Sequence, residues 1–438
     1  MQIRHPARTP QKLIGAFGSR AFRYFSPAML LDLLDFPTLL FLIFIGATLV
    51  QLCLIWGVLA RFAFGKVCSL QWAGSRQQAA GDRQVIDEKL QTAHCKPQTA
   101  NCPPSTVIIC ARNEAENLRR NLPAVLAQQF PGEFEVLVVD DASTDATAEV
   151  LNDFQQKHPQ LRVIQRVDKK RPGKKDALAA GIAAARFENI VVTDADCRPA
   201  SPRWLAKMTA PLDVPGCEIV LGYGPYQPTP TPNFLNQWIR FEAAWAAVQY
   251  FAFAWAGQPY MGVGRNLAWK KSLFAAVGGF EAHADLPSGD DDLFVNAAAR
   301  RDNTALALDP DTFVFSEGKT TWAAYFRQKM RHFSTGRRYR RWPRLVLGAA
   351  GLTHTLHFGC ALLVLIFGAG WSWVLAFYLL RLASVMLVLR PALRQLGEAD
   401  LWPFLPVFDG LLAVFYTVFT PAIFLRNHGR ARVWDGRN

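Results

Sequence analysis

The distribution of apolar runs constrains this chain more than any other feature. Residues Phe36 to Ala60 are uncharged and apolar apart from Gln51 and two threonines. That is enough for one helix to cross the roughly 30 Å hydrocarbon core of a bilayer. The run lacks the small-residue cleavage site and the short length of a signal peptide, so it reads as a retained helix. Three further runs lie at the other end: Leu345 to Phe367, Trp371 to Leu389, and about Pro403 to Leu425. The pattern predicts a membrane protein with a soluble middle.

The net charge of +13 is large enough to raise the question of nucleic acid. Nucleic-acid binding needs a basic stripe inside the domain. Here the basic residues gather beside the apolar runs instead: Arg61 and Lys66 after the first, and Arg337, Arg338, Arg340, Arg341 and Arg344 before the second. This positive-inside pattern places the middle domain on the cytoplasmic side, with anionic headgroups as the partner of the surplus charge. The eight cysteines show no disulfide framework, as in a reducing compartment. His94, Cys95 and Cys102 lack a second ligand pair at metal-binding spacing. The expected division is a leader at 1–35, a transmembrane helix at 36–64, a Gln-rich connector at 65–104 and a soluble domain at 105–335. A membrane region of two to three helices follows at 345–425, then a basic tail at 426–438.

Topology is less determined. One helix before the domain and three after it place the C-terminus outside, whereas Arg426, Arg430, Arg432 and Arg437 favour the inside. Arg381 within the third run and Asp409 within the fourth suggest that one of these runs lies in the interface or re-enters. The basic leader Met1 to Tyr24 also fits poorly outside, which leaves Met29 as an alternative start.

In the soluble part, Thr106 to Cys110 reads as a β-branched strand, followed by Arg112-Asn113-Glu114 and a helix from Ala115 to Gln128. Glu135 to Val139 is a second strand closing on Asp140-Asp141, after which Ser143 or Thr144 supplies a helix N-cap. Leu161 to Gln165 is a strand, Lys174 to Ala185 a helix and Ile190 to Thr193 a strand. Such alternation predicts an α/β domain with a parallel sheet. No Gly-x-Gly-x-x-Gly follows the first strand, which argues against a dinucleotide-binding dehydrogenase. Thr193-Asp194-Ala195-Asp196 then places two carboxylates at the C-terminal end of a buried strand. Open α/β sheets bind ligands there, and paired carboxylates suit a hard divalent cation held with a diphosphate. A second acidic cluster, Asp290, Asp291 and Asp292, should contain raised pKa values if crowded in a cleft. Read blandly, it is a solvated helix N-terminus.

The order of these pieces is specific. Thr106-Val-Ile-Ile-Cys-Ala-Arg-Asn-Glu114, Val138-Val-Asp-Asp-Ala-Ser-Thr-Asp145, Gly173-Lys174 and Thr193-Asp-Ala-Asp196 resemble the nucleotide-sugar half of a family 2 glycosyltransferase. The likeness continues through Gly262-Val-Gly-Arg-Asn266, Gly278-Gly-Phe280, Gly289-Asp-Asp-Asp-Leu293 and Gln328-Lys-Met-Arg-His332, covering roughly residues 105 to 335. Bacterial members commonly carry the domain between transmembrane helices. The resemblance implies a GT-A fold, a Rossmann-like α/β domain with a mostly parallel sheet. It also implies that Ala111, Asn113 and Glu114 cradle the nucleobase and that Asp140 and Asp141 contact the nucleotide. Lys174 approaches a phosphate, and Asp194 and Asp196 hold the donor and a divalent metal, Mg²⁺ or Mn²⁺. Asp290 stands opposite the family's catalytic base, which takes the proton of the acceptor hydroxyl, with Asp291 as runner-up. Gln328 and Arg331 fall where a guanidinium meets the leaving diphosphate.

Each assignment has a plainer rival: turn capping for Asp140 and Asp141, a solvated lysine for Lys174, and membrane-surface basicity for Arg331. Three positions depart from the family pattern: Gly289 replaces a Glu, Ala179 an Asn and His332 a Trp. Without that Trp, single-sugar transfer is favoured over polymerisation. Trp238, Phe241, Trp245, Val248 and Trp255 recur at near-helical spacing, as a core stripe, an interface anchor or a guide for a lipid-linked acceptor.

These readings predict a multi-pass protein of the bacterial cytoplasmic (inner) membrane with its catalytic domain facing the cytoplasm. It would be an inverting, metal-dependent glycosyltransferase moving sugar from a nucleotide-diphospho-sugar to a lipid-linked or membrane-embedded acceptor, as in the making of cell envelope polysaccharide. A processive synthase, a nucleotidyltransferase and an inactive membrane scaffold are the alternatives. No nucleic-acid partner is expected, and oligomeric state leaves no mark on the sequence.

Overall fold

The computed structural model describes residues 36–65, 70–72, 102–167, 173–286, 288–368 and 370–425. The basic leader, Lys66, His94, Cys95, most of the expected connector and the basic tail lie outside the described residues. The chain enters through helix α1 (Phe36–Phe64), which contains a π-helical turn at Ile55–Leu59. From within the expected connector, strand β1 (Leu70–Trp72) joins the edge of the sheet.

The central strands are β2 (Ser105–Ala111), β3 (Phe134–Asp141), β4 (Leu161–Arg166) and β5 (Asn189–Asp194), all mutually parallel where they pair. The Val/Ile runs of β2, β3 and β5 are buried almost throughout, as expected for strands covered on both faces. Helices α2 (Ala115–Leu126), α3 (Thr147–Lys157) and α4 (Lys175–Ala184) make the crossovers. Where α4 crosses the sheet, a Cβ on Gly181 would lie 2.9 Å from Ile108 Cγ2 and 3.0 Å from Val139 Cγ2. A glycine there lets helix and sheet close up.

Beyond β5 come β6 (Cys197–Pro199), α5 (Trp204–Thr209), β7 (Ile219–Gly222), α6 (Phe234–Trp255) and β8 (Leu267–Lys270). Then follow α7 (Lys271–Ala276), α8 (Asp292–Ala298), β9 (Thr304–Ala307), β10 (Val314–Ser316) and α9 (Trp322–His332). The eight-stranded sheet has the order β1-β9-β7-β8-β5-β2-β3-β4, with β6 and β10 forming a separate pair. Strand β8 runs antiparallel to both neighbours, while β7 and β9 are parallel. The register that sets Cys110 beside Asp194 and Ala111 beside Asp140 brings three sequence-predicted positions to one edge of the sheet.

The C-terminal helices are α10 (Arg341–Ile366), α11 (Trp371–Gln395) and α12 (Leu405–Leu425). Four helical stretches among the described residues are long and apolar enough to cross a membrane: Phe36–Phe64, Arg341–Ile366, Trp371–Gln395 and Ala399–Phe419. The two charges expected at membrane depth find each other. Arg381 donates from Nη1 to Asp409 Oδ2 at 2.5 Å and from Nη2 to Asp409 Oδ1 at 3.1 Å. Gln51 Oε1 lies 3.2 Å and His354 Nδ1 3.0 Å from the same Nη2, so α1, α10, α11 and α12 meet at one buried polar cluster. In a bilayer such groups persist only when paired.

The aromatic stripe of α6 is core. Trp238 and Phe241 are buried, and Phe408 of α12 packs on both, with ring centroids 5.9 Å and 4.8 Å away. Trp245 Nε1 donates to Tyr416 OH at 2.9 Å. Arg240 forks onto Glu398 (2.6 Å) and Asp400 (2.7 Å) in the turn before α12. Thus α6 welds the sheet domain to the membrane helices.

Candidate active site

Two loops at the C-terminal edge of the sheet are laced together. Asn113 and Ala142 adopt left-handed backbone, φ 57° and 59°, a conformation that costs little for Asn. Asn113 N donates to Ser143 Oγ at 3.0 Å, and Asn113 Oδ1 accepts from Thr144 N at 2.8 Å. Ser143 and Thr144 are therefore spent on this loop, and α3 starts later. Its first amide, Thr147 N, donates to Asp145 Oδ1 at 3.0 Å. Asp140 Oδ1 accepts from Ser143 N at 3.1 Å, so that carboxylate closes the turn. Asp141 is buried, with Arg166 Nη1 3.5 Å from its Oδ1. Glu114 Oε2 accepts from Asn117 Nδ2 at 2.5 Å. Burial pushes the Glu114 carboxyl up to about 7; Asn117 opposes this, and Asp196, Asp194 and Asp145 add to it.

Lys174, held at the start of α4 after Gly173 (φ 91°), joins the two acidic clusters. Its Nζ lies 2.5 Å from Asp194 Oδ1 and 3.5 Å from Asp290 Oδ2. Burial alone would lower the Lys174 ammonium, but Asp194 and Asp290 outweigh it and hold it well above the usual lysine range. Burial would likewise raise Asp194. The Lys174 charge overcomes this, helped by Arg265 and Arg331, and holds the carboxyl low. Asp196 goes the other way, raised by burial and by the neighbouring Asp194 charge.

The second cluster is sorted by its hydrogen bonds. Asp291 Oδ1 accepts from Asp292 N and its Oδ2 from Gly264 N, both at 2.8 Å, so it caps α8. Burial, then the charges of Asp290 and Asp292, push Asp291 up to about 7. Asp292 accepts from Leu293 N at 2.7 Å, from Tyr339 OH at 2.7 Å and from Thr335 Oγ1. Asp290 is the member that faces Lys174. Gln328 and Arg331 lie on α9; the amide oxygen of Gln328 is buried with no hydrogen-bond partner among the described residues.

Residues 106–261 match the family profile described as "Glycosyl transferase family 2", and residues 189–389 match "Glycosyl transferase family group 2". Residues 106–261 thus form a glycosyl transferase family 2 domain. Among curated relatives, this chain is 32% identical over 118 residues to the glycosyltransferase AglE of Haloferax volcanii, a stretch covering 27% of this chain and 38% of that protein. It is 35% identical over 89 residues to the poly-beta-1,6-N-acetyl-D-glucosamine synthase of Staphylococcus epidermidis (20% and 21% covered). It is 33% identical over 91 residues to the beta-monoglucosyldiacylglycerol synthase of Synechocystis (20% and 19% covered). The matched stretches thus span well under half of each relative's length. A solved mannosyltransferase of Pyrobaculum calidifontis, in complex with GDP-Man and Mn²⁺, superimposes with a TM-score of 0.51 at 19% identity, over 89% of this chain and 96% of that one. The fold is GT-A, as the motifs implied.

Three residues that face the acidic pair carry no role from sequence. Arg265 sits inside the Gly262–Asn266 motif. Its guanidinium lies over the Tyr226 ring at 4.3 Å, donates to Ser316 Oγ at 2.8 Å and bears electrostatically on Asp194 and Asp196. Lys319 follows β10, whose Ser316 pairs with Cys197. Its ammonium is lowered by burial, against the pull of Asp196. Cys197 itself groups with Asp194 and Asp196, with ligand atoms within 4.8 Å of one another. Burial, with Asp196 next, holds that thiol well above the usual range in the metal-free protein. The carboxylate oxygens of Asp194 and Asp196 fit a hard cation such as Mg²⁺ or Mn²⁺. Ala179 and Gly278-Gly279-Phe280 line one cavity of about 260 Å³ beside α4.

Proposed function

We propose that this protein moves a sugar from a nucleotide-diphospho-sugar to a membrane-embedded, lipid-linked acceptor, inverting the anomeric centre at the cytoplasmic face. The observation that carries this reading is the convergence of Lys174, Asp194 and Asp290. One cation stands within 3.5 Å of a carboxylate from each acidic cluster. Glu114, Asn113, Ala111 and Asp141 would receive the nucleoside at the sheet edge, while Asp140 holds their turn.

The anionic diphosphate would lie among Lys174, Arg265 and Arg331, with the amide of Gln328 beside it. Positive groups placed where charge develops favour departure of the nucleoside diphosphate. Asp194 and Asp196 would hold the divalent ion, which when bound neutralises part of the diphosphate charge. Asp290 takes the proton of the acceptor hydroxyl. As that oxygen bonds to the anomeric carbon, the bond from that carbon to the diphosphate oxygen breaks on the opposite side. A single displacement of this kind inverts configuration.

A membrane acceptor is supported by α6 and Arg240, which fix the catalytic domain to the apolar helices, and by the basic residues at the start of α10. The Synechocystis relative, a beta-monoglucosyldiacylglycerol synthase by name, supports a lipid acceptor. Labelled nucleotide sugars, incubated with detergent-purified protein and a membrane lipid extract, test it. Label should enter the organic phase as one sugar per lipid, with anomeric configuration opposite to the donor's. Label found only on soluble acceptors, or retained configuration, overturns the reading.

A further inference from the structure

Asp292 is nearly buried, yet the reaction outlined above gives it no work. Its Oδ1 accepts from Leu293 N at 2.7 Å, while its Oδ2 accepts from Tyr339 OH at 2.7 Å and from Thr335 Oγ1. Both hydroxyls belong to the short segment between α9 and α10, just before the chain enters the membrane region. Thr335 Oγ1 also lies 3.0 Å from His332 O, in the last turn of α9 beside Arg331. Two further bonds follow the same seam: Arg338 to Asp285 at 2.7 Å and Arg340 N to Asn296 Oδ1 at 2.8 Å. The acid-bearing turn and the Arg331-bearing helix are therefore bolted to one another through Asp292.

We propose that Asp292, with Thr335 and Tyr339, is a positioning device that fixes Asp290 relative to Arg331 and to the membrane entrance. The inference rests on the glycosyl-transfer reading and deepens it. Asp290 must meet the acceptor hydroxyl while Arg331 meets the leaving group on the opposite side of the same carbon. Two groups acting in line on one centre need a fixed separation, and a displacement of about 1 Å can cost about a hundredfold in rate. A carboxylate accepting two hydroxyl donors from the next segment provides such a tie. The bonds also run to the stretch that anchors the domain, so the height of Asp290 above the membrane is set by the same contacts.

The test compares wild type with Tyr339→Phe, Thr335→Val, the double variant and Thr335→Ser, none of them a group that touches donor or acceptor. Nucleoside diphosphate release gives kcat and donor KM, and thermal unfolding reports the fold. The double variant should lose kcat by about tenfold or more while donor KM stays within about twofold. Its melting temperature should fall by a few degrees, because a buried carboxylate loses two donors, with the protein still folded at the assay temperature, and Thr335→Ser should recover the rate. Unchanged kcat in the double variant overturns the proposal. So does a rate loss that tracks lost stability and is not rescued by serine. A wild type with no release from any donor defeats the glycosyl-transfer reading itself, whereas an active wild type with an unaffected double variant defeats only the positioning role.

Discussion

Asp291→Asn separates the two acids that sequence leaves as rivals for the base. In the folded protein the Asp291 carboxyl is pushed from its ordinary 3.8 up to about 7, by burial first and then by Asp290 and Asp292. The folded state keeps this proton where the unfolded chain has released it. The associated stability is therefore complete below pH ~4 and is lost as pH rises towards ~7. About three pH units at ~1.4 kcal/mol each set a ceiling of about 4 kcal/mol, shared with the two neighbouring acids. Asparagine does not ionise, so it removes that loss. It also has one acceptor oxygen instead of two, so either Gly264 N–H or Asp292 N–H loses its 2.8 Å partner. That costs about 1–2 kcal/mol at every pH. Thermal unfolding in detergent from about pH 5 to about pH 8 should show the variant starting below wild type and gaining on it as pH rises. Its turnover should stay within about tenfold of wild type, whereas Asp290→Asn should lose at least about a hundredfold. Parallel unfolding profiles would refute the electrostatic argument. Loss of turnover in Asp291→Asn as deep as in Asp290→Asn would make Asp291 the base.

Other expectations follow from single contacts. Lys174→Met removes the cation that joins Asp194 and Asp290; donor KM should rise by about tenfold or more, measured by nucleoside diphosphate release. Asp409→Leu strands the buried Arg381 guanidinium and should cost about 3–5 kcal/mol, seen as a lower melting temperature, while Arg381→Met added to it should restore most of the loss. Gly181→Ala drives a methyl against Ile108 and Val139 and should destabilise by about 1–3 kcal/mol without altering donor KM.

What the sequence made legible was local. The β-branched runs of β2, β3 and β5 and the acids at their ends are neighbours in the chain, so their placement follows from strand periodicity alone. Arg265 and Lys319 were opaque because they reach Asp194 and Asp196 only through non-local pairing, Ser316 of β10 against Cys197 of β6. Asp140, read from sequence as a nucleotide contact with turn capping as its rival, accepts from Ser143 N three residues ahead and so also closes a turn. In the membrane region, Arg381 and Asp409 stood out as misplaced charges. That they satisfy each other depends on how α11 packs against α12, which no periodicity encodes. Asp292 shows the same limit: three adjacent acids look alike in sequence, and only their partners in other elements tell them apart.

The most direct measurement is nucleoside diphosphate release by purified protein across a panel of nucleotide sugars, with Mg²⁺ or Mn²⁺ and a membrane lipid extract. Asp196→Asn and Asp290→Asn are assayed beside it. The account predicts release from one donor, dependent on metal and on lipid, and abolished in both variants. Release that survives in Asp290→Asn, or the absence of release from every donor, would contradict it.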